Sequence, residues 1–118
     1  LGAVINDHTV PQFRCKAIAG SANNVLKDPA HGRQLKERGI LYAPDYVINA
    51  GGLINVYHEL QGYNREKAVG DVELIYDRLM EIYKISKDQN IATSDAADRF
   101  AENRIKVIKE IESNYIKR

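Results

Sequence analysis

The sequence is short of several things, and each shortage removes a class of function. Only one cysteine, Cys15, occurs in 118 residues. No internal disulfide can form, and the usage fits a reducing cytoplasmic setting. With no His or Asp companion suggested nearby, Cys15 reads as a small buried hydrophobe rather than a nucleophile. The charge is nearly balanced at +1, with Lys and Arg interleaved among Asp and Glu. That leaves no basic stripe for nucleic acid and describes ordinary solvated helix surfaces. No apolar run is long enough to span a bilayer, and no signal-peptide pattern is present. The three histidines, His8, His31 and His58, are far apart and have no cysteine partners at ligand spacing. His58-Glu59 opens a metalloprotease motif that Gly62 fails to complete, so no metal site is expected. Neither a Ser-His-Asp nor a Cys-His arrangement can be argued from residue order. The chain also lacks any G-x-G-x-x-G turn.

What is present is patterned. Lys16-Ala17-Ile18-Ala19, ended by Gly20-Ser21, has the form of a buried parallel strand. Asp28 is placed to cap a helix that has Pro29 in its first position. Gly39 closes that helix, with Lys36 and Arg38 in the last turn. Ile40-Leu41-Tyr42-Ala43 follows as a second strand, stopped by Pro44. Strand, helix, strand and helix in alternation predict an α/β layer with parallel strands. Two short strands do not make a stable sheet. The apolar start Leu1-Gly2-Ala3-Val4-Ile5, without an initiator Met, also reads like the interior of a folded domain, so a fragment is expected. From Asn64 to about Gln89, Ala68, Val72, Ile75, Leu79 and Ile82 mark one helical face. Gly70 inside it costs ~1 kcal/mol relative to Ala and suggests close packing. A further helix begins near Thr93-Ser94, with Asp95 and Asp98 in its first turn. Its apolar side is expected at Ala97, Ala101, Ile105, Ile108 and Ile111. Both are read as packing helices.

Two segments could carry chemistry. In the first, Ser21-Ala22-Asn23-Asn24 follows a strand at the carboxyl edge, where open α/β sheets bind ligands. Asn offers a donor and an acceptor to a carboxamide, a ribose hydroxyl or a carboxylate. A plain strand-terminating turn accounts for the same residues. The second, Tyr42-Ala43-Pro44-Asp45-Tyr46-Val47-Ile48-Asn49-Ala50-Gly51-Gly52-Leu53-Ile54-Asn55-Val56, leads through a Pro and an Asn to paired glycines at the mouth of a helix. Their amides are potential donors to an anion, and an ordinary strand-to-helix turn is again the alternative. Leu53 and Val56, three apart, share a direction if the helix starts at the glycines.

The second segment resembles the substrate-pocket region of the amino-acid dehydrogenases that act on glutamate, leucine, phenylalanine and valine. Leu1-Gly2-Ala3-Val4-Ile5-Asn6-Asp7, Ile18-Ala19-Gly20-Ser21-Ala22-Asn23-Asn24, His31-Gly32 and Gly62-Tyr63-Asn64-Arg65-Glu66 fall in the order and spacing of the leucine-type members. Ala96-Ala97-Asp98-Arg99, Ala101-Glu102 and Arg104-Ile105 match the final helix. The resemblance implies an α/β fold, the C-terminal part of a Rossmann-type NAD-binding domain followed by long packing helices. Residues 1–62 would form the back half of the dinucleotide-binding domain with the pocket segment, and 63–118 the closing helices.

It also implies a function for a longer parent: NAD-dependent oxidative deamination of L-leucine, valine or isoleucine to the 2-oxo acid, ammonia and NADH. NADP is left open, because the acidic residue that reads the ribose would lie upstream. By resemblance, Asn24, Gly52, Leu53 and Val56 meet the amino acid, while Ser21 and Asn23 lie near the nicotinamide end of the cofactor. Glutamate-specific relatives are similar but have Ser at the position of Val56; an apolar Val would desolvate a distal carboxylate without a partner. Leu53 replaces the Val more often seen in leucine-type members, which keeps phenylalanine and valine open as substrates. The catalytic lysines of the family match nothing here, so no catalytic residue is expected in these 118 positions and the chain alone is expected to be inactive. Expected partners are an amino-acid substrate, the N-terminal part of the same protein and further subunits of a homo-oligomer. A non-enzymatic helical interaction module, built on 64–118, is the alternative of another class.

Overall fold

A computed structural model describes residues 2–115, with side chains as far as Ile111. The two expected strands are β1 (Ala17–Ile18) and β2 (Leu41–Tyr42). They pair in parallel, Ala17 opposite Leu41 and Ile18 opposite Tyr42. A third extended stretch lies outside them, where Ile5 and Leu26 form a parallel bridge. The Ile5 amide donates to the Val25 carbonyl at 2.8 Å, and the Lys27 amide to the Ile5 carbonyl at 2.9 Å.

Helix α1 (Pro29–Glu37) joins the strands. Asp28 caps it by accepting from the Ala30 amide at 2.8 Å, and His31 Nδ1 accepts from the Asp28 amide at 3.1 Å. This is a reciprocal capping box with His in the place usually held by Glu. Gly39 follows the helix at φ +69, the left-handed conformation that closes a helix with little strain in glycine. Leu35 from α1 completes a core with Ile5, Val10, Ile40 and Tyr42.

The second strand runs through buried Pro44 into a short helix, α2 (Asp45–Ile48), then α3 (Gly51–Leu60). The sequence had suggested only one helix in this region. Asp45, directly after Pro44 at the N-cap, begins a separate turn, and the Val47 and Ile48 amides both donate to the Pro44 carbonyl. Helices α4 (Arg65–Asp88) and α5 (Thr93–Tyr115) form an antiparallel hairpin. Asn64 caps α4 by accepting from the Lys67 amide at 3.0 Å. A second core joins Ile82 of α4 to Ala96 and Ala97 of α5, with Val47 of α2 packed against it. The two halves are tied where the Thr93 hydroxyl donates to the Tyr42 carbonyl at 2.7 Å. They also meet at Gly32, where a Cβ would lie 2.4 Å from Ser94 Oγ; only glycine lets α1 and α5 approach this closely.

Several expectations are corrected. The run Lys16-Ala17-Ile18-Ala19, expected as a buried strand, leaves Ala17 exposed and Ile18 only half-buried. Cys15 is exposed rather than buried. Gly70 serves no close packing, since a Cβ there would meet nothing within 4 Å. On α5 only Ala97 of the expected apolar side is buried; Ala101, Ile105, Ile108 and Ile111 are exposed. The periodicity identified the shared face, but beyond Phe100 no described element covers it. Val72 on α4 is exposed in the same way.

Candidate functional site

Both motifs singled out in the sequence lie at the carboxyl ends of the paired strands. In an open parallel sheet this is the edge where loops converge and leave room for a ligand. Ser21, Asn23 and Asn24 are exposed on the loop after β1. Asn24 adopts φ +53, a left-handed conformation that asparagine tolerates better than most residues. Its carbonyl accepts from the Ala3 amide at 2.8 Å, while its side chain keeps its hydrogen-bonding capacity free among the described residues.

Two residues that sequence reasoning passed over hold this loop against the one after β2. Asp45 Oδ2 accepts from the Val25 amide at 3.0 Å, and its other oxygen accepts from the Tyr46 amide at 2.8 Å. The Asn49 side-chain amide donates to Asn23 Oδ1 and reaches the Ala22 carbonyl at 3.5 Å. In the sequence Asp45 stood only as one residue of the second motif, with no role attached. Its partner lies 20 residues away, and nothing local announces such a bond.

Asn24, Tyr42, Asp45, Tyr46 and Asp98 are among the residues lining a cavity of about 230 Å³. The Tyr46 hydroxyl donates to Asp98 Oδ1 at 2.7 Å. Burial, then this carboxylate, pushes the Tyr46 phenol well above its ordinary range. Tyr42 is pushed up to about 12, chiefly by burial, with the neighbouring Asp45 carboxylate adding to it. Both therefore stay protonated, as neutral donors, through the physiological range. Among the described residues no group of three or more His, Cys, Asp or Glu could hold a metal ion.

Helix α3 inverts the usual pattern. Leu53, Val56 and Leu60 are 75%, 51% and 79% exposed, while His58 is only 8% exposed. Gly51, Ile54, Asn55 and His58, at the spacing of one helical stripe, form the inward side. Leu53 and Val56 thus share the outward face, as their spacing predicted. The paired glycines keep negative φ, so they are not there to make a left-handed turn. A Cβ at Gly52 would meet nothing within 4 Å, so its backbone is open to an approaching group. Among the described residues no side chain caps α3, which leaves its first-turn amides uncovered by them. No described contact joins Asn24 directly to Leu53 or Val56; the link between them runs through Asn49 and the α2–α3 junction.

The family model for Glutamate/Leucine/Phenylalanine/Valine dehydrogenase matches residues 1–93. A leucine dehydrogenase of Bacillus cereus is 57% identical over 117 residues, covering 99% of this chain and 32% of that protein. A phenylalanine dehydrogenase of Thermoactinomyces intermedius is 48% identical over 110 residues, covering 93% of this chain and 30% of that protein. The crystal structure of L-tryptophan dehydrogenase from Nostoc punctiforme superposes with a TM-score of 0.89 at 52% identity, covering 93% of this chain and 33% of that one. The chain therefore spans about a third of the length of the relatives it matches. It belongs to the glutamate/leucine/phenylalanine/valine dehydrogenase family, whose members here are oxidoreductases acting on amino acids.

Proposed function

We propose that this member of the glutamate/leucine/phenylalanine/valine dehydrogenase family is part of a longer NAD-dependent, leucine-type dehydrogenase. The parent would deaminate L-leucine, valine and isoleucine oxidatively to the 2-oxo acids. In this reading residues 1–62 are the back half of a Rossmann-type domain, and 63–118 close it. The parent works as a cytoplasmic homo-oligomer. The observation that carries the reading is the outward apolar face of α3: Leu53 and Val56 are held away from the core, on the helix that follows the loop at the carboxyl end of β2. Family membership and the parallel strand pair favour it over a purely helical interaction module.

Leu53 and Val56 pack on the aliphatic end of the substrate and keep water from it. Neither can satisfy a distal carboxylate, which disfavours glutamate. The free Asn24 amide holds the polar end of the amino acid, and the open backbone at Gly52 lets the substrate approach closely. For NAD, the donor set fits one end only. The Ser21 hydroxyl and the amide nitrogen of Asn23 suit the nicotinamide carboxamide or its ribose, and no glycine-rich pyrophosphate turn occurs in the sequence. The nicotinamide, when bound, supplies the hydride acceptor; these residues orient the substrate against it. The isolated chain is accordingly expected to bind NAD weakly and to be inactive.

Val56→Ser in the parent tests the pocket. It should cost leucine ~1–3 kcal/mol of transition-state binding and spare an amino acid with a polar side chain. The readout is the ratio of kcat/KM for the two substrates, in which general destabilisation cancels. A constant ratio removes Val56, and Leu53 with it, from the pocket. Running phenylalanine in the same assay discriminates the aromatic substrate class of some relatives.

A further inference from the structure

Helix α3 has an unusual attachment. Its inward stripe offers one sizeable aliphatic side chain, Ile54, and ends in a buried imidazole, His58. His58 Nε2 lies 2.7 Å from Asp71 Oδ2 on α4. At the other end of α3, a Cβ at Gly51 would meet Val72 Cγ2 at 3.9 Å, an ordinary contact distance. Gly51 and His58 are seven residues apart, about 10 Å along the helix axis, yet both meet neighbouring residues of α4. Helix α3 thus meets α4 near both of its own ends. With so little aliphatic bulk on its inward stripe, packing alone fixes its separation from α4 better than its tilt. A short directional hydrogen bond at one end sets it.

The residues on the opposite side make tilt matter. Leu53 and Val56 stand on the same helix as His58, turned outward. Any rotation of α3 about its contact with α4 moves both together.

We propose that His58 and Asp71 are positioning residues, whose hydrogen bond sets the lean of α3 on α4 and so places Leu53 and Val56 against the substrate side chain. The consequence for substrate rests on the pocket reading above; the geometry of attachment does not. Neither residue touches the reacting atoms. They act through the helix that carries the pocket.

The test uses the full-length parent enzyme with Asp71→Leu, Asp71→Asn and Val56→Ser, measured side by side. Asp71→Leu removes the acceptor, whereas Asp71→Asn keeps an oxygen that His58 Nε2–H can reach. In Asp71→Leu, amides of α3 should exchange hydrogen faster than in wild type while those of α4 stay protected. KM for leucine should rise ~3- to 10-fold with kcat within about twofold, the mark of a misplaced binding surface. Asp71→Asn should restore both to near wild type. Should Asp71→Leu fail to fold, His58→Phe fills the same buried space without the hydrogen bond and carries the same expectations. Unchanged α3 exchange and KM on loss of the acceptor overturn the proposal, as does an Asn variant as impaired as the Leu variant. If Val56→Ser shifts substrate preference while Asp71→Leu does nothing, the positioning role alone falls. If Val56→Ser leaves preference constant, the pocket reading falls and the role of the pair in specificity falls with it.

Discussion

Helices α1 and α3 stand in similar places in the chain order, one after each motif-bearing loop, and treat their apolar residues in opposite ways. Helix α1 is capped at both ends and buries Leu35 completely, at 0% exposure, beneath a sheet residue and a loop. Helix α3 has no capping side chain among the described residues, shows Leu53, Val56 and Leu60 to the outside, and buries a histidine. Propensity does not separate them, since both are short. The difference lies in what each face is for. A helix whose apolar side meets the core is held by burial. One whose apolar side is turned away must be held by something else, and that side is free to meet a substrate. The contrast separates residues that maintain the fold from residues that the fold presents.

The strongest test of that contrast is a matched pair of leucines in the full-length parent. Leu35→Ala opens a cavity in the first core and should cost ~2–5 kcal/mol of stability. Leu53→Ala should stay within ~0.5 kcal/mol by the same thermal or denaturant unfolding, as expected for an exposed side chain. Equal losses would mean that Leu53 is covered in the parent by other protein, and the pocket would have to be sought elsewhere. Next in size is Asn24→Ala, read by kinetics. Loss of one hydrogen bond to a charged substrate group is worth ~1.5–3 kcal/mol, a roughly ten- to hundredfold drop in kcat/KM for leucine. Unchanged kinetics would leave Asn24 as a turn residue only. Asp28→Ala, at the cap of α1, should cost ~1 kcal/mol of stability with kcat/KM unaffected. A kinetic effect there would blur the division between the two helices.

How much of this was legible in the sequence follows the range of each interaction. Asp28, Pro29, Gly39 and Asn64 act within a turn of their own position, so the ends of α1 and the start of α4 could be read directly. The strands at Ala17–Ile18 and Leu41–Tyr42 were legible because short apolar runs were bounded by Gly and Pro. Asn23 and Asn24 were legible as candidates because they follow a strand. Burial was harder. Periodicity grouped Ile105, Ile108 and Ile111 on one side of α5, and grouping says nothing about whether a partner covers that side. Cys15 shows the same limit for a single residue. Least legible were the ties between distant loops, Asp45 to Val25 and Asn49 to Asn23, and the pairing of His58 with Asp71 across the α3–α4 turn. Each joins residues 13 or more positions apart. For His58 one signal was available: a polar residue seven places after Gly51 on the stripe opposite Leu53 and Val56, which needs a partner if that stripe is buried.

The smallest expected effect concerns the other histidine–aspartate pair, on the side of α1. His31 Nε2 lies 3.2 Å from Asp7 Oδ1, tying the capping box of α1 to the first loop. The hydrogen bond from His31 is the main reason that the Asp7 carboxyl is held below its usual value of 3.8. A carboxyl with a lowered folded-state pKa contributes stability that is present above 3.8 and lost as pH falls through the lower folded value. Since Asp7 is itself well exposed, water and salt screen much of the interaction. Asp7→Asn should therefore lower the unfolding temperature of the parent only slightly at neutral pH. The gap from wild type should close as the buffer is taken below 3.8, and added salt should narrow it at every pH. A gap that stayed constant down through that range would mean the carboxylate charge is not what ties α1 to the loop, leaving the neutral geometry of His31 and Asp28 as the whole of the lock.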